Sequence, residues 1–198
     1  DQLFDIAKIL YENPEISEEE KISSEILVKY LRTKGFNVEN PYLGEEYGFR
    51  AEYGGKREGL NIGFFCEYDA LPEIGHGCEH NLICTESIAA GVALKATIDE
   101  FGGKITLFGT PAEESNGVKG IYGEKGAYKN INIALMTHPN GVSVASGTSL
   151  AMKAIEYEYF GRTAHAATAP EEGINALDAV ILLFNGINAI RQHVKSDV

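Results

Sequence analysis

The chain predicts an α/β fold: a layered sheet with flanking helices, followed by the start of a smaller α+β domain. Three observations predict it. Short strand-like runs alternate with segments of helical period, and one run (residues 60–68) is apolar almost throughout, as in a strand covered on both faces. Near Thr148 the patterning changes to a single long alternating stretch and a single long helix. The expected division is therefore 1–148 for the first domain and 149–198 for an incomplete second one.

Taken in order, Leu3, Ile6, Ala7 and Leu10 recur at helical spacing, and Asn13-Pro14 stops that helix. Ser17 with Glu20 reads as a capping box opening a second helix, with Ile22, Ile26, Tyr30 and Leu31 on its buried face and Gly35 as its stop. Strands are expected in FNVEN, FRAEY and LNIGFFCEY, then a helix over 81–100 that ends before Gly102-Gly103. Strand KITLFGT, a glycine-spaced segment over 117–126 and strand INIALM complete the first domain. In the second, an alternating strand over 150–160 leads through a Gly/Thr/Ala loop to a helix over about 173–193. That helix is expected to bury Ala176, Ala179, Val180, Leu183, Phe184 and Ile187. One strand and one helix cannot cover their own apolar faces, so they either pack on the first domain or begin a domain that continues.

Composition narrows the partners. The 198 residues are 44% hydrophobic and carry 29 acidic against 17 basic side chains, a net charge of −12. A surface so acidic repels phosphate backbones, which argues against nucleic acid. No apolar run approaches the ~20 residues of a membrane span. The chain opens DQLFDIAKIL, without an initiator Met, a basic segment or a signal-peptide core, and three cysteines make a poor disulfide framework. A cytoplasmic setting is the expectation.

Candidate chemistry gathers at strand ends. CEYDALPEIGHGCEHN (66–81) follows the most apolar strand and places Cys78 and His80 two residues apart, a spacing that aims thiolate and imidazole at one cation, zinc above all. Its alternative is a polar loop with a buried Cys and a surface His. GTPAEESNG follows the next strand; of adjacent Glu113 and Glu114, one suits a metal and the other a proton, the alternative being a solvated acidic turn. His138 follows a third strand. Three such clusters on one sheet edge supply Cys, His, Glu and His with a spare carboxylate as base. His165 lies in the small-residue loop GRTAHAATAP, with room to approach a ligand or simply to stay exposed. His76, beside a Gly within the first cluster, is expected to line the site, and His193 near a helix end suits the dipole.

Other motifs fail. There is no phosphate-binding G-x-x-x-x-G-K-[ST], and the series Gly117, Gly120, Gly123, Gly126 lacks a strand-turn context. Gly141-Val-Ser143-Val-Ala145 lacks the last glycine of a nucleophile elbow, and a Cys78–His80 protease dyad would place both partners in one segment.

Together the motifs resemble the zinc-dependent aminoacylase/carboxypeptidase metallopeptidases. The likeness is to the amidohydrolase branch that includes auxin-conjugate and aminobenzoyl-glutamate hydrolases. It runs from NPEISEEE through CEYDALP, GHGCEHN, PAEE and THP to GRTAHAATAP and GINALDA, nearly the whole chain. It implies Cys78, His80, Glu114 and His138 as ligands of one or two divalent ions, zinc with manganese or cobalt as alternatives. Glu113 would be the general base and Asp69 the carboxylate that braces the metal site. His165 would polarise the substrate carbonyl from a lid domain through which two copies of the chain pair, and Asn175 would assist substrate binding. The implied reaction is hydrolysis of the amide bond of an N-acyl or N-aroyl amino acid or a dipeptide by metal-activated water.

Two features depart from the family. Glu79 stands where the family has Gly between its Cys and His, either adding a ligand or disturbing a turn that wanted a flexible residue. Family members are also roughly twice as long, with a last ligand His near their end, so the chain reads as part of such a hydrolase. A metal-binding fragment or degenerate relative without hydrolase activity is the second reading. An α/β binding module without metal is the third.

Overall fold

In the computed structural model, residues 2–145, 147 and 153–195 are described, and the chain divides into two compact units, Asp1–Gly141 and Val142–Val198. In the first unit α1 (Gln2–Glu12) and α2 (Lys21–Thr33) precede β1 (Asn37–Glu39), β2 (Phe49–Gly54) and β3 (Asn61–Cys66). Then come α3 (His80–Phe101), β4 (Lys104–Gly109), α4 (Val118–Glu124) and β5 (Ile133–Leu135). The layered α/β architecture expected from the alternation of elements is the one found.

The five strands form one sheet in the order β1-β2-β4-β3-β5. β1–β2 and β2–β4 are antiparallel, whereas β3 pairs in parallel with both β4 and β5. The apolar run therefore becomes an interior strand. Its period of two feeds a core on each face. Phe64 and Cys66, with Ile105 and Leu107 of β4, meet Leu10, Leu27, Leu31 and Ile88 from α1, α2 and α3. On the other face Phe108 packs with Tyr42, Val118 and Tyr122, and Phe65 lies against them.

Two details of α2 differ from expectation. Ser17 and Glu20 form no capping box: Ser17 Oγ donates to Asp69 Oδ2 (2.8 Å), and Glu20 Oε1 accepts from Ala112 N (2.6 Å). The first turn is instead capped by the Glu15 carboxylate, which accepts from Ile22 N (2.9 Å) and Ser23 N (2.7 Å). Tertiary partners took the two side chains that local spacing had paired. The buried face is also rotated, to Ser23, Ser24, Leu27, Val28 and Leu31, leaving Ile22 exposed. Small serines let the helix lie close, a fit that apolar periodicity does not register.

In the second unit α5 spans Ala176–Ile190, three residues shorter at its start than expected because Asn175 caps it, Oδ1 accepting from Leu177 N (3.1 Å). None of its residues is buried, against the expectation for Ala176, Ala179, Val180, Leu183, Phe184 and Ile187. Among the described residues of its own unit, α5 has no second layer to cover it. Of the expected strand over 150–160, residues 150–152 lie outside the described ones, and 153–160 are exposed and join no ladder. An alternating pattern becomes a strand only beside a partner, and the sheet of the described residues holds β1 to β5 alone. No helix among the described residues is long and apolar enough to cross a membrane.

Candidate metal centre

Because β4, β3 and β5 are parallel, their carboxyl ends lie along one edge, and the segments that follow them come together there. Past β3 the chain stays extended, held by Ala70 N donating to Glu15 O (2.8 Å). Alternation sends Tyr68 into the core, where its ring stacks on Phe49 and its hydroxyl donates to Tyr47 O (2.6 Å). Glu67 and Asp69, on either side of Tyr68, then bracket the buried His80 at the start of α3. Asp69 Oδ1 lies 2.9 Å from Nδ1, and Glu67 Oε2 lies 3.4 Å from Nε2.

Asp69 is the anchor. Its Oδ2 also accepts from Ser17 Oγ (2.8 Å) and Glu114 N (3.0 Å). Burial works against its charge, yet these bonds hold its carboxyl below the usual carboxylate range. The same carboxylate raises the pKa of His80 although burial opposes this. With Nδ1 donating to Asp69, Nε2 is left as the lone-pair nitrogen facing the centre, the arrangement that orients a metal-ligating histidine.

The turn before α3 positions Cys78, half-buried. Its thiol is pushed up to about 11, chiefly by its hydrogen bond with Glu114, then by burial and the neighbouring carboxylates. Glu79 follows with φ 60°, the left-handed conformation. Of the two consequences foreseen for Glu79, the strained turn is the one seen, and Glu79 belongs to neither group of converging donors. Past β4, Glu114 Oε1 lies 3.6 Å and Glu113 Oε2 3.9 Å from His80 Nε2. Burial and the Glu67 charge raise the pKa of Glu113, with Lys119 opposing. Past β5, the exposed His138 sets its ring edge-on to His80 with centroids 6.1 Å apart, Nδ1 lying 2.9 Å from Pro139 O.

The donors form two triads sharing His80: Cys78–His80–Glu114, and Glu67–His80–His138, with the ligand atoms of each within 4.8 Å of one another. The four residues expected to converge on one point are thus brought together through His80. Glu67 Oε2 and His80 Nε2 are buried without a hydrogen-bond partner. Two lone-pair atoms facing each other at 3.4 Å leave a cation as the natural partner of both. Thiolate, imidazole and carboxylate together suit zinc.

Sequence reasoning missed Glu67 and Lys119. Glu67 had a signal: it stands two residues from Asp69 in an extended segment, hence on the same side. Lys119 had none. On the first turn of α4, its ammonium pairs with Glu67 Oε1 and lies 3.8 Å from Glu113 Oε1, a contact that only the crossing of α4 over the sheet creates. His76, expected to line the site, is buried with neither ring nitrogen partnered; burial and the charge of His80 lower its pKa. His165 and Asn175 belong to the second unit. There His165 Nδ1 accepts from Ala167 N (3.2 Å), and Asn175 caps α5. His193 lies in the 3-10 turn that follows α5.

Thiol, imidazole and carboxylate groups gathered around His80 by parallel strand ends define an α/β protein with a candidate metal site at its strand ends. Comparison with known proteins makes this specific. No family model matches the chain. It is 34% identical over 204 residues to the Xaa-Arg dipeptidase of Mus musculus, covering 96% of this chain and 47% of that protein. It is 33% identical over 211 residues to one of the subunits of the p-aminobenzoyl-glutamate hydrolase of Escherichia coli K12, covering 96% and 43%. The chain thus spans about half the length of the curated relatives it matches. Its fold is shared with a dinuclear metal-binding peptidase of the M20 family from Bacillus subtilis (TM-score 0.61, 21% identity, 67% and 41% of the two chains). A protein from methicillin-resistant Staphylococcus aureus, described as an aminohydrolase, matches over 98% of this chain and 57% of its own (TM-score 0.69, 18% identity). Its relatives are thus a dipeptidase and an aminobenzoyl-glutamate hydrolase, and its fold is that of an M20-family peptidase, in line with the family its motifs resemble.

Proposed function

We propose that the chain carries the metal-binding half of a hydrolase that cleaves the amide bond of a dipeptide or of an N-acyl or N-aroyl amino acid. The observation that carries this reading is the convergence of Cys78, Glu114, Glu67 and His138 on the buried, unpartnered Nε2 of His80. Zinc is the cation this donor set suits best, in one or two ions. It would supply an acidified water and a Lewis acid for the amide carbonyl. Asp69 fixes the His80 ring, and Glu113 accepts the proton of the attacking water and returns it to the departing amine. Burial and the charge of Glu67 raise Glu113 toward the range a general base needs. The relatives' names, an Xaa-Arg dipeptidase and an aminobenzoyl-glutamate hydrolase, support small amides as the substrate class.

In this reading residues 1–148 are catalytic and 149–198 begin a lid. His165 polarises the substrate carbonyl, and Asn175 helps hold the substrate besides capping α5. The exposed apolar side chains of α5, Phe184 and Ile187 among them, support a homodimer formed through that lid. Three free cysteines support a reducing, cytoplasmic setting. In an intact, zinc-loaded hydrolase that carries this chain, Glu113→Gln is expected to lose about 10²-fold or more of the turnover of dipeptides and acyl-amino acids while keeping the metal. Glu114→Gln is expected to lose metal, read by equilibrium dialysis. Equal metal loss in both variants would overturn these roles.

A further inference from the structure

Away from the metal donors, the first unit carries a second built feature. Glu18, Glu20, Glu45, Glu46, Tyr47, Pro111, Ala112 and Asn116 line a depression of about 260 Å³. Its carboxylates are not equivalent. Glu18 Oε1 accepts from the Asn116 amide, and Glu45 lies 3.8 Å from the Lys125 ammonium. Glu20 is the decisive one. It is fully buried, its Oε1 accepts from Ala112 N (2.6 Å), and its Oε2 is buried with no partner. A carboxylate oxygen left bare beneath a pocket lined by three further carboxylates is costly unless a donor reaches it. Burial raises the carboxyl of Glu20 to about 7, with the Asp69 charge adding and backbone N–H groups opposing, so it ionises near neutrality.

The spacing decides what kind of cation fits. Among the described residues, the only groups of three or more donors within 4.8 Å of one another are the two triads at the metal centre. No three of the pocket carboxylates bring oxygens within that distance of one another, as chelation of one metal ion by them would need. The volume is several times the ~30 Å³ share of one water in the liquid. Separated acceptors around such a space match a cation whose N–H donors are themselves spread out. We propose that the pocket formed by Glu18, Glu20, Glu45 and Glu46 binds an organic cation with a guanidinium or alkylammonium head. The head donates to Glu20 Oε2 in the depth and to Glu46 at the rim. Pro111 and Ala112, one wall of the pocket, lead directly into Glu113 and Glu114. The head group therefore sits one hydrogen bond, Ala112 N to Glu20, from the segment that carries the proposed base.

The cation has two possible sources, a free ligand or the basic side chain of a substrate, and only the second rests on the proposed hydrolase reading. The test is a titration followed by amide NMR shifts at low ionic strength, with n-propylguanidinium against its neutral isostere n-propylurea. The guanidinium is expected to bind at least about tenfold more tightly and to shift the amides of residues 18–20, 45–47 and 111–116. Glu20→Gln and Glu46→Gln should each weaken it about tenfold, the loss of one charge-assisted bond. Glu46 is exposed, so its variant keeps the test sound if the buried substitution unfolds the chain. Equal affinity for guanidinium and urea, unchanged binding in the Glu46 variant, or displacement of the guanidinium from these amides by equimolar Ca²⁺ would each overturn the proposal. A Gly-Arg dipeptide repeats the titration with and without Zn²⁺. Affinity that rises with zinc identifies a substrate side chain, and affinity indifferent to zinc identifies a separate ligand. Either result supports a cation site, and the second does so even if the hydrolase reading fails.

Discussion

At the scale of single residues, the centre is set by which atoms are already committed. Asp69 uses one oxygen on His80 and the other on Ser17 and Glu114 N, so imidazole orientation, the turn before α2 and the loop after β4 are tied to one carboxylate. Cys78, with its thiol pushed up to about 11, is protonated at neutral pH until a cation arrives. Zinc binding at pH 8 is therefore expected to release at least one proton per site. Calorimetry in two buffers of different ionisation enthalpy reads this directly, and Cys78→Ser should abolish that proton. Glu79 offers the opposite case, a side chain that serves no donor set and holds a φ of 60°. Its replacement by Gly is expected to raise stability by about 1 kcal/mol, seen as a later urea midpoint with an unchanged slope.

At the scale of elements, the sheet edge depends on close approach. Gly109 ends β4 opposite Phe49 of β2, and a Cβ there would stand 2.2 Å from Phe49 Cδ1. The Phe49 ring is itself stacked on Tyr68, the residue whose inward turn sends Glu67 and Asp69 toward His80. Gly109→Ala should thus do more than overpack the core by about 1–3 kcal/mol. Tilting Phe49 moves Tyr68, and with it the pair of carboxylates. Thermal denaturation should show the lost stability, and zinc affinity should fall as well. Retention of zinc affinity in a destabilised variant would break the link drawn here between strand packing and donor placement.

At the scale of the whole molecule, the acidic surplus leaves one buried carboxylate whose ionisation opposes folding. In the unfolded chain Glu20 titrates near 4.5 and in the folded one near 7. Between these values the unfolded chain has released a proton that the folded chain keeps, so the contribution of this group falls as pH rises through the window. The loss reaches about 3 kcal/mol above pH 7. Glu113 and His80, both raised, and His76, lowered, also bind protons differently in the two states, His76 with the opposite sign, so the wild-type curve alone does not isolate Glu20. The difference between wild type and Glu20→Gln does. Between pH 5 and pH 8 the denaturant midpoint should fall more, or rise less, in the wild type than in the variant.

Periodicity alone placed β2, β3, β4 and α3 to within a residue or two, because each buries a face and burial writes itself into the spacing of apolar side chains. It also placed Cys78, His80, Glu114 and His138 at strand ends, and a parallel sheet turns strand ends into neighbours. What periodicity could not carry were choices between equal local options. Ser17 and Glu20 had the spacing of a capping box, but their stronger partners, Asp69 and Ala112 N, lie 52 and 92 residues away in sequence. The amphipathic pattern of α5 marked a face, yet its burial needs a second layer that its own unit does not provide. Lys119 entered the metal centre only through the path of α4 over the sheet. Local sequence determines which faces are apolar and which residues can ligate. Tertiary structure decides which polar groups find each other, since a hydrogen bond or ion pair depends on distances of a few ångströms set by the whole packed fold.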